Sequence, residues 1–239
     1  MPDRFGPRGV IALFIPLQNA NMQPEYEAMR PEGVNNQIYR ITLAQADRVP
    51  EATLSVIEGA LGCYPDLIVI GNSVEMRGIT SVQFDEYRAQ LQQKIGDVKL
   101  VTATDATVVA LQTMGAKRIA AISPMSDEYS QNVADYYETL GFEVPYNTGL
   151  QVARPQDIIN VGYEEALAAF RKIDHDDVDT FLHVGAALGI VDHIEALEKE
   201  LGRPVITVNI ATYWHALRTL GIKDPLRGYG QLAQKPSFT

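Results

Sequence analysis

Polar side chains follow directly on one short apolar segment of this sequence, at Asn72 and Ser73, with Gly71 in front of them. The four residues before the glycine, 67–70, are apolar and mostly β-branched, which predicts a buried parallel strand. In open α/β sheets, ligands bind outside the carboxyl ends of the strands. A glycine there lets a ligand approach the backbone, and the amide, hydroxyl and N–H groups that follow favour an anion. The segment therefore predicts a site for a carboxylate or an enediolate, and the alternative is an ordinary strand-to-helix turn.

A second segment, 179–187, repeats this pattern of an acidic residue, an apolar strand, a glycine and small residues. The segments downstream also match, because 99–102 leads into the segment 106–117 and 204–207 leads into the similar segment 211–223, which is one residue longer. A repeat of about a hundred residues indicates duplicated half-domains rather than a solenoid. We therefore expect two strand ends that face each other across a cleft.

Three ionisable side chains are candidates for proton transfer, and each also has a structural interpretation. Glu75 follows the first polar segment, where it is either a catalytic acid or a solvated loop carboxylate. Asp105 is either a base that activates water or the cap of the next helix. His183 lies two residues before Gly185 on the same predicted strand face, and is either a catalytic group or a core histidine with satisfied hydrogen bonds.

Composition and charge exclude several classes of function. The net charge is −10 and Lys and Arg do not cluster, which argues against binding to nucleic acid or to an anionic membrane surface. The one cysteine, Cys63, cannot form an intrachain disulfide, which favours a reducing cytoplasm. The N-terminus lacks the apolar core of a signal peptide, and no apolar run is long enough to span a bilayer. We expect a cytoplasmic protein that binds a small molecule; a homo-oligomer is compatible with the sequence.

Strands alternate with helices along the chain, which predicts an α/β fold with parallel sheets and right-handed crossovers. The predicted strands are 9–16, 36–43, 67–70, 99–104, 118–123, 142–146, 180–184 and 205–209. The predicted helices are one that begins near Pro24 with Asn21 as candidate cap, then 49–61, 81–95, 104–114, 127–140, 155–173 with a break near Gly162, 190–201 and 212–220. We expect a first α/β half made of residues 1–105 and 212–239 and a second half made of residues 106–211.

Four segments of the chain resemble the aspartate/glutamate racemase superfamily, on its maleate isomerase and arylmalonate decarboxylase branch. They are 15–25, 114–120, 202–207 with the helix that follows, and Gly71-Asn72-Ser73, which is similar to the decarboxylase's Gly-Thr-Ser loop. The resemblance implies two Rossmann-like halves related by a pseudo-twofold axis, with the active site in the cleft between them.

The same resemblance implies cysteine chemistry, and this sequence departs from it. The family's two catalytic cysteines align with Gly71 and Gly185, and a family tyrosine aligns with Met125. Cys63 precedes its strand and is expected at the opposite end of the sheet, in a structural role. The thiol mechanisms of the family are therefore not available to this sequence, although these three aligned positions are still expected to line the substrate site.

The binding part of the family's site is retained in this sequence. The resemblance implies that Asn19 contacts a substrate carboxylate and that Asn72 and Ser73 form a first anion cradle. It implies a second cradle made by the N–H groups of Ala186 and Ala187. Donors of this kind stabilise the charge that develops when a carboxylic acid loses CO2 or a proton.

These observations favour a cysteine-independent enzyme that forms an enolate-like intermediate from a small carboxylic acid or a related compound. Decarboxylation is favoured over isomerisation, because Gly71 matches the decarboxylase. One alternative is a hydrolase of a small cyclic amide or ester in which Glu75 or Asp105 activates water, and another is a non-catalytic carboxylate-binding protein. No cofactor or metal is expected, because no Gly-x-Gly-x-x-Gly, P-loop, metal-spaced His/Cys set or Ser-His-Asp order is present.

Overall fold

The computed structural model describes residues 3–42 and 49–238, which contain two four-stranded parallel sheets. The first sheet is made of β1 (Gly9–Pro16), β2 (Val34–Ile41), β3 (Leu67–Ile70) and β4 (Lys99–Thr102), in the order β2-β1-β3-β4. The second is made of β5 (Arg118–Ser123), β6 (Glu143–Gly149), β7 (Thr180–His183) and β8 (Val205–Thr207), in the order β6-β5-β7-β8. The order is the same in both sheets, so the prediction of an α/β fold with two parallel-sheet halves is confirmed.

The α-helices connect the strands and cover the faces of the sheets. They are α1 (Met22–Met29), α2 (Val49–Leu54), α3 (Ser81–Ile95), α4 (Ala103–Met114), α5 (Asp127–Thr139), α6 (Tyr163–Lys172), α7 (Ile194–Leu201), α8 (Val208–Thr219) and α9 (Gly230–Ala233). Short 3-10 helices lie at Ile57–Cys63, Glu75–Arg77, Pro155–Asn160 and Val191–His193. Among the described residues, no helix has both the length and the apolar character needed to cross a membrane.

Both faces of the first sheet are buried, which explains the nearly continuous apolar sequence of its central strands. On β1, Leu13 packs into a large core cluster that also contains Ala121 of the second sheet. Phe14 points to the opposite face and packs into a smaller cluster with Phe84 and Leu91 of α3. One continuous core therefore joins the two halves, and the smaller cluster lies on the outer face of the first sheet.

Helices α4 and α8 pack against each other between the halves. Helix α4 follows β4 of the first sheet and contacts β8 of the second, whereas α8 follows β8 and contacts β3, β4 and α1 of the first. Helix α4, which follows a strand of the first sheet, thus lies against the second sheet, and α8, which follows a strand of the second sheet, lies against the first. The division of the chain at 105/106 and at 211/212 stays a prediction.

Several predicted element bounds were wrong in detail. The second strand begins and ends two residues earlier than predicted, and its predicted last residue, Leu43, lies outside the described residues. The predicted helix 49–61 consists of α2 followed by a 3-10 helix. The break near Gly162 is confirmed, because a 3-10 helix ends at Asn160 and α6 begins at Tyr163.

Two predicted helix caps were also wrong. Thr102, not Asp105, caps α4, since its hydroxyl accepts a hydrogen bond from the N–H of Asp105 at 3.1 Å. Asn21 occupies the cap position of α1, but its side chain does not cap the helix. The side-chain oxygen of Asn19 instead accepts the N–H groups of Asn21 at 3.1 Å and Met22 at 2.9 Å.

Candidate active site

The carboxyl edges of the two sheets face each other. Asn19, in the loop after β1, donates its amide to the carbonyl of Ala186, in the loop after β7, at 2.8 Å. Asn132 of α5 donates to the carbonyl of Met76, in the loop after β3, at 3.1 Å. Because these loops follow the carboxyl ends of their strands, the two halves meet where ligands bind in open α/β sheets.

Asn72 and Ser73 are buried polar residues whose side chains have no partner in the described part of the chain. Their side chains are only 4% and 7% exposed, and neither the amide of Asn72 nor the hydroxyl of Ser73 has a hydrogen-bond partner among the described residues. Their backbone N–H groups also donate to no acceptor in that part of the chain. A buried polar group left unpaired costs about 1–3 kcal/mol, so such groups usually serve a ligand, an ion or ordered water.

A tight turn follows β7 in the second half. The N–H of Leu188 donates to the carbonyl of Gly185 at 3.1 Å, which leaves Ala186 and Ala187 as the two central residues of the turn. Within residues 3–42 and 49–238, the N–H groups of Ala186 and Ala187 donate to no protein acceptor. The structure thus places the two predicted anion cradles at the carboxyl edges of the two sheets, and the bond from Asn19 to the Ala186 carbonyl joins loops of these two edges.

Neither strand-end glycine has free space for a side chain. A Cβ atom on Gly71 would meet the terminal methyl group of Met22 and lie 3.0 Å from the carbonyl oxygen of Phe14. Gly185 has a φ of +124°, and a Cβ there would lie 2.5 Å from Cδ of Pro124. A side chain at Gly185 would therefore be strained both in the backbone and by contact.

Glu75 is fully buried, so its interpretation as a solvated loop carboxylate was wrong. One carboxylate oxygen accepts the hydroxyl of Thr104 of α4 at 2.6 Å, and the other accepts the hydroxyl of Tyr137 of α5 at 3.2 Å. Burial raises the pKa of Glu75, and the hydrogen bonds from Thr104 and Tyr137 partly oppose that shift. The environment of Glu75 favours the protonated carboxyl group, two residues beyond the first cradle.

The other two acid–base candidates lie in different surroundings. His183 is fully buried in β7, and burial lowers its pKa to about 3, so the ring is neutral. Neither ring nitrogen has a partner among the described residues, so the expectation that the hydrogen bonds of His183 are satisfied in the core was wrong.

Asp105 accepts hydrogen bonds from Arg88 and from the hydroxyl of Thr102, both at 2.8 Å. Burial raises the pKa of Asp105, and its bonds to Thr102 and Arg88 oppose the shift.

Three further predicted residues have clear positions. Asn19 uses its side chain within the protein, between the loops after β1 and β7. Met125 is half-buried, packs against the large core cluster and accepts the N–H of Gln151 on its carbonyl at 2.9 Å. Cys63 ends the 3-10 helix before β3, at the amino end of that strand, and its thiol donates to the carbonyl of Ala60 at 3.2 Å.

A polar cluster that sequence reasoning missed lies beside the turn at Ala186. One carboxylate oxygen of Glu25 accepts the side-chain amides of Asn209 at 2.6 Å and Asn21 at 3.2 Å, and the other accepts the N–H of Val191 at 3.3 Å. Burial raises the pKa of Glu25 to about 7. Glu25 and Asn209 are 184 positions apart in the chain, so no local pattern connects them.

Within the described residues, no group of three His, Cys, Asp or Glu side chains is arranged to hold a metal ion. A family model described as arylmalonate decarboxylase matches residues 11–233, which is nearly the whole chain. The chain belongs to the arylmalonate decarboxylase family. This membership confirms the branch of the superfamily that the sequence predicted.

Maleate isomerases are similar to this member of the arylmalonate decarboxylase family. That of Alcaligenes faecalis is 24% identical over 150 residues, 61% of this chain and 59% of that protein, so the chain spans about three fifths of that relative's length. That of Nocardia farcinica is 25% identical over 211 residues, 87% of this chain and 80% of that protein.

A solved structure of Nocardia farcinica maleate cis-trans isomerase is similar over 94% of this chain and 97% of its own, with a TM-score of 0.81 and 20% identity. That protein is a cysteine-to-serine mutant with a covalently bound succinylcysteine intermediate. At this identity the likeness shows a shared fold. Together with the family model, the named relatives support an enzyme of isomerase or decarboxylase type.

Proposed function

We propose that this chain is an enzyme that acts on a small carboxylic acid as a decarboxylase or isomerase, without a catalytic thiol. The observation that carries the proposal is a set of donors without protein acceptors, in the described residues, after the equivalent strands of the two sheets. Asn72 and Ser73 supply buried polar groups after β3, and Ala186 and Ala187 supply N–H groups after β7. A carboxylate has two oxygens that each accept hydrogen bonds, so it pairs well with these N–H and hydroxyl donors.

The same donors explain how the reaction is accelerated. When a malonate-type diacid loses CO2, or a carboxylic acid loses an α-proton, negative charge moves from the α-carbon onto the oxygens of the remaining carboxylate. Fixed donors aimed at those oxygens stabilise the charge without reorganisation, and one such donor typically contributes about 2.7–4 kcal/mol. The cradles would therefore lower the barrier even without a thiol, and the only cysteine, Cys63, lies at the amino end of β3.

The proposed proton donor is Glu75. Burial raises the pKa of its carboxyl group, and it lies two residues beyond Ser73 in the cradle loop. Asp105 is paired with Arg88 and Thr102, and His183 is held neutral inside the sheet. A raised pKa shifts the balance from the carboxylate towards the carboxylic acid, so the surroundings of Glu75 suit a proton donor better than a base that activates water.

Turnover of a small substrate panel tests the proposal. Arylmalonates, alkylmalonates and maleate are incubated with the protein in D2O and followed by 1H NMR. We expect either loss of CO2 with deuterium at the α-carbon, or fumarate from maleate. Hydrolysis of a cyclic amide or ester with no reaction of these acids would favour the hydrolase, and binding without any reaction would indicate a carboxylate-binding protein.

Two substitutions locate the chemistry once a substrate is found. Ser73→Ala removes a cradle hydroxyl and should lower kcat/KM by about 10²-fold. Ser55→Ala is the matched control, because Ser55 is exposed and bonds only to a local carbonyl. Glu75→Gln keeps the shape and an acceptor for Thr104 but has no acidic proton, so kcat should fall by about 10²–10⁴-fold. Full activity in Glu75→Gln would show that Glu75 does not transfer a proton in the reaction.

A further inference from the structure

The carbonyl oxygen of Ala186 is held by three asparagine side chains. The amides of Asn19, Asn209 and Asn21 donate to it at 2.8, 3.0 and 3.1 Å. Two of these residues come from the loop that opens α1, and Asn209 comes from the first turn of α8. Elements of both halves thus converge on a single backbone oxygen of the turn 185–188.

Glu25 fixes the orientation of two of these amides. The NH2 groups of Asn21 and Asn209 each bridge the Ala186 carbonyl and the same carboxylate oxygen of Glu25. Each NH2 group has two hydrogens, one for each acceptor. Both amide oxygens are buried and have no partner among the described residues. Leaving these two oxygens unpaired costs stability. The arrangement is therefore better explained as one that holds the Ala186 carbonyl in position than as one that only joins the two halves.

The geometry of the peptide bond extends this constraint to a donor of the cradle. In a planar trans peptide, the C=O group and the following N–H group point in opposite directions. Holding the Ala186 carbonyl toward the asparagines therefore directs the N–H of Ala187 away from them. This N–H belongs to the turn whose central donors have no protein acceptor among the described residues.

We propose that Asn21, Asn209 and Glu25 are positioning residues that hold the 186–187 peptide so that the N–H of Ala187 binds a substrate carboxylate. The inference rests on the proposed function, because it assigns the supporting residues of the second cradle. Glu25 acts in this arrangement as an acceptor, for the two amides and for the N–H of Val191. Any residue in its place that keeps such an acceptor should preserve the orientation of the peptide.

Malonate, a simple dicarboxylate, is the probe for the test. Its dissociation constant is measured by two-dimensional 15N–1H NMR from the shifts of the N–H resonances of Asn72 and Ala187. Asn209→Ala should weaken malonate binding by about tenfold and reduce the shift of the Ala187 resonance. Gln92→Ala is the control, because Gln92 also donates its amide to two carbonyls but on the exposed face of α3.

Two substitutions of Glu25 separate positioning from general stability. Glu25→Gln retains an oxygen acceptor and should bind malonate within about twofold of the parent chain. Glu25→Ala removes the acceptor and should match the roughly tenfold loss of Asn209→Ala. Thermal unfolding of each variant reports the stability, and loss of affinity that merely followed the unfolding temperature would contradict a positioning role.

The outcomes also distinguish this inference from the proposed function. If the parent chain binds malonate with shifts at Asn72 but none at Ala187, the positioning role is wrong and the first cradle stands. If Asn209→Ala binds as tightly as the parent, the positioning role is likewise wrong. If the parent chain does not bind malonate and turns over none of the panel acids, the carboxylate site itself is wrong, and the positioning role is overturned with it.

Discussion

Replacing Glu75 with alanine should be strongly destabilising, whereas replacing it with glutamine should not. Glu75→Ala leaves the buried hydroxyls of Thr104 and Tyr137 without their acceptor. At about 1–3 kcal/mol for each unpaired group, the loss is about 2–6 kcal/mol, before the cavity left by the side chain is counted. Glu75→Gln keeps an oxygen acceptor inside the same volume and removes the ionisable group.

The pH dependence of the same pair has a definite sign. Burial raises the pKa of Glu75 in the folded chain above its ordinary value. Its protonated form therefore contributes stability that is fully present below the unfolded pKa and is lost as the pH rises through the folded pKa. The parent chain should lose stability relative to Glu75→Gln as the pH rises above 4.5, the ordinary pKa of a glutamate.

Urea unfolding followed by circular dichroism at pH 5 and pH 8 measures both effects, with Glu75→Ala, Glu75→Gln and the parent chain compared at each pH. The control is Glu58→Gln, because Glu58 is exposed and pairs only with Lys94 on the surface. Equal destabilisation by alanine and glutamine would refute the assigned hydrogen bonds. A glutamine variant that lost stability relative to the parent as the pH rose would refute the raised pKa.

Three further predictions concern the cleft. Gly185→Ala should destabilise the chain by about 2–5 kcal/mol through positive-φ strain and overpacking. Gly71→Ala should cost less, because its closest contact is the flexible end of Met22, the Phe14 carbonyl must give only slightly, and its φ carries no positive-φ strain; equal urea midpoints would contradict the difference. Glu25→Gln should gain stability over the parent as the pH rises through about 7, and a constant difference in urea unfolding would contradict the raised pKa. Without ligand, Ser73→Ala should leave the free energy of unfolding unchanged, whereas Ser130→Ala should lower it by about 1 kcal/mol. The reason is that, among the described residues, the Ser130 hydroxyl has a hydrogen-bond partner and the Ser73 hydroxyl has none. An equal loss in the two variants would show that Ser73 has a partner that the structure does not describe.

Local sequence patterns were sufficient for much of the fold. The bounds of β1, α3 and β5 agree with the prediction, because apolar runs and a capping threonine before α3 act over a few residues. The strand-end glycines and the polar residues after them were also found locally. The internal repeat then placed the two strand ends on facing edges, since parallel strands of equivalent position end at the same edge of their sheets.

Contacts between the halves could not be predicted from such patterns. Glu75 follows a polar loop and would be solvated, except that α5 of the other half covers it and supplies Tyr137. The bonds from Asn21 and Asn209 to Glu25 join two helices that are far apart in sequence. Both features depend on how the halves dock, which is a tertiary property without a short-range signal.

The activity of Cys63→Ala tests thiol independence most directly. The variant is assayed by 1H NMR in D2O with whichever acid of the panel the parent chain turns over fastest, and urea unfolding confirms that it is folded. We predict a kcat/KM within about twofold of the parent, because the thiol lies at the amino end of β3 and donates to the nearby carbonyl of Ala60. A folded variant whose kcat/KM falls by about 10²-fold or more would show that the thiol takes part in the reaction.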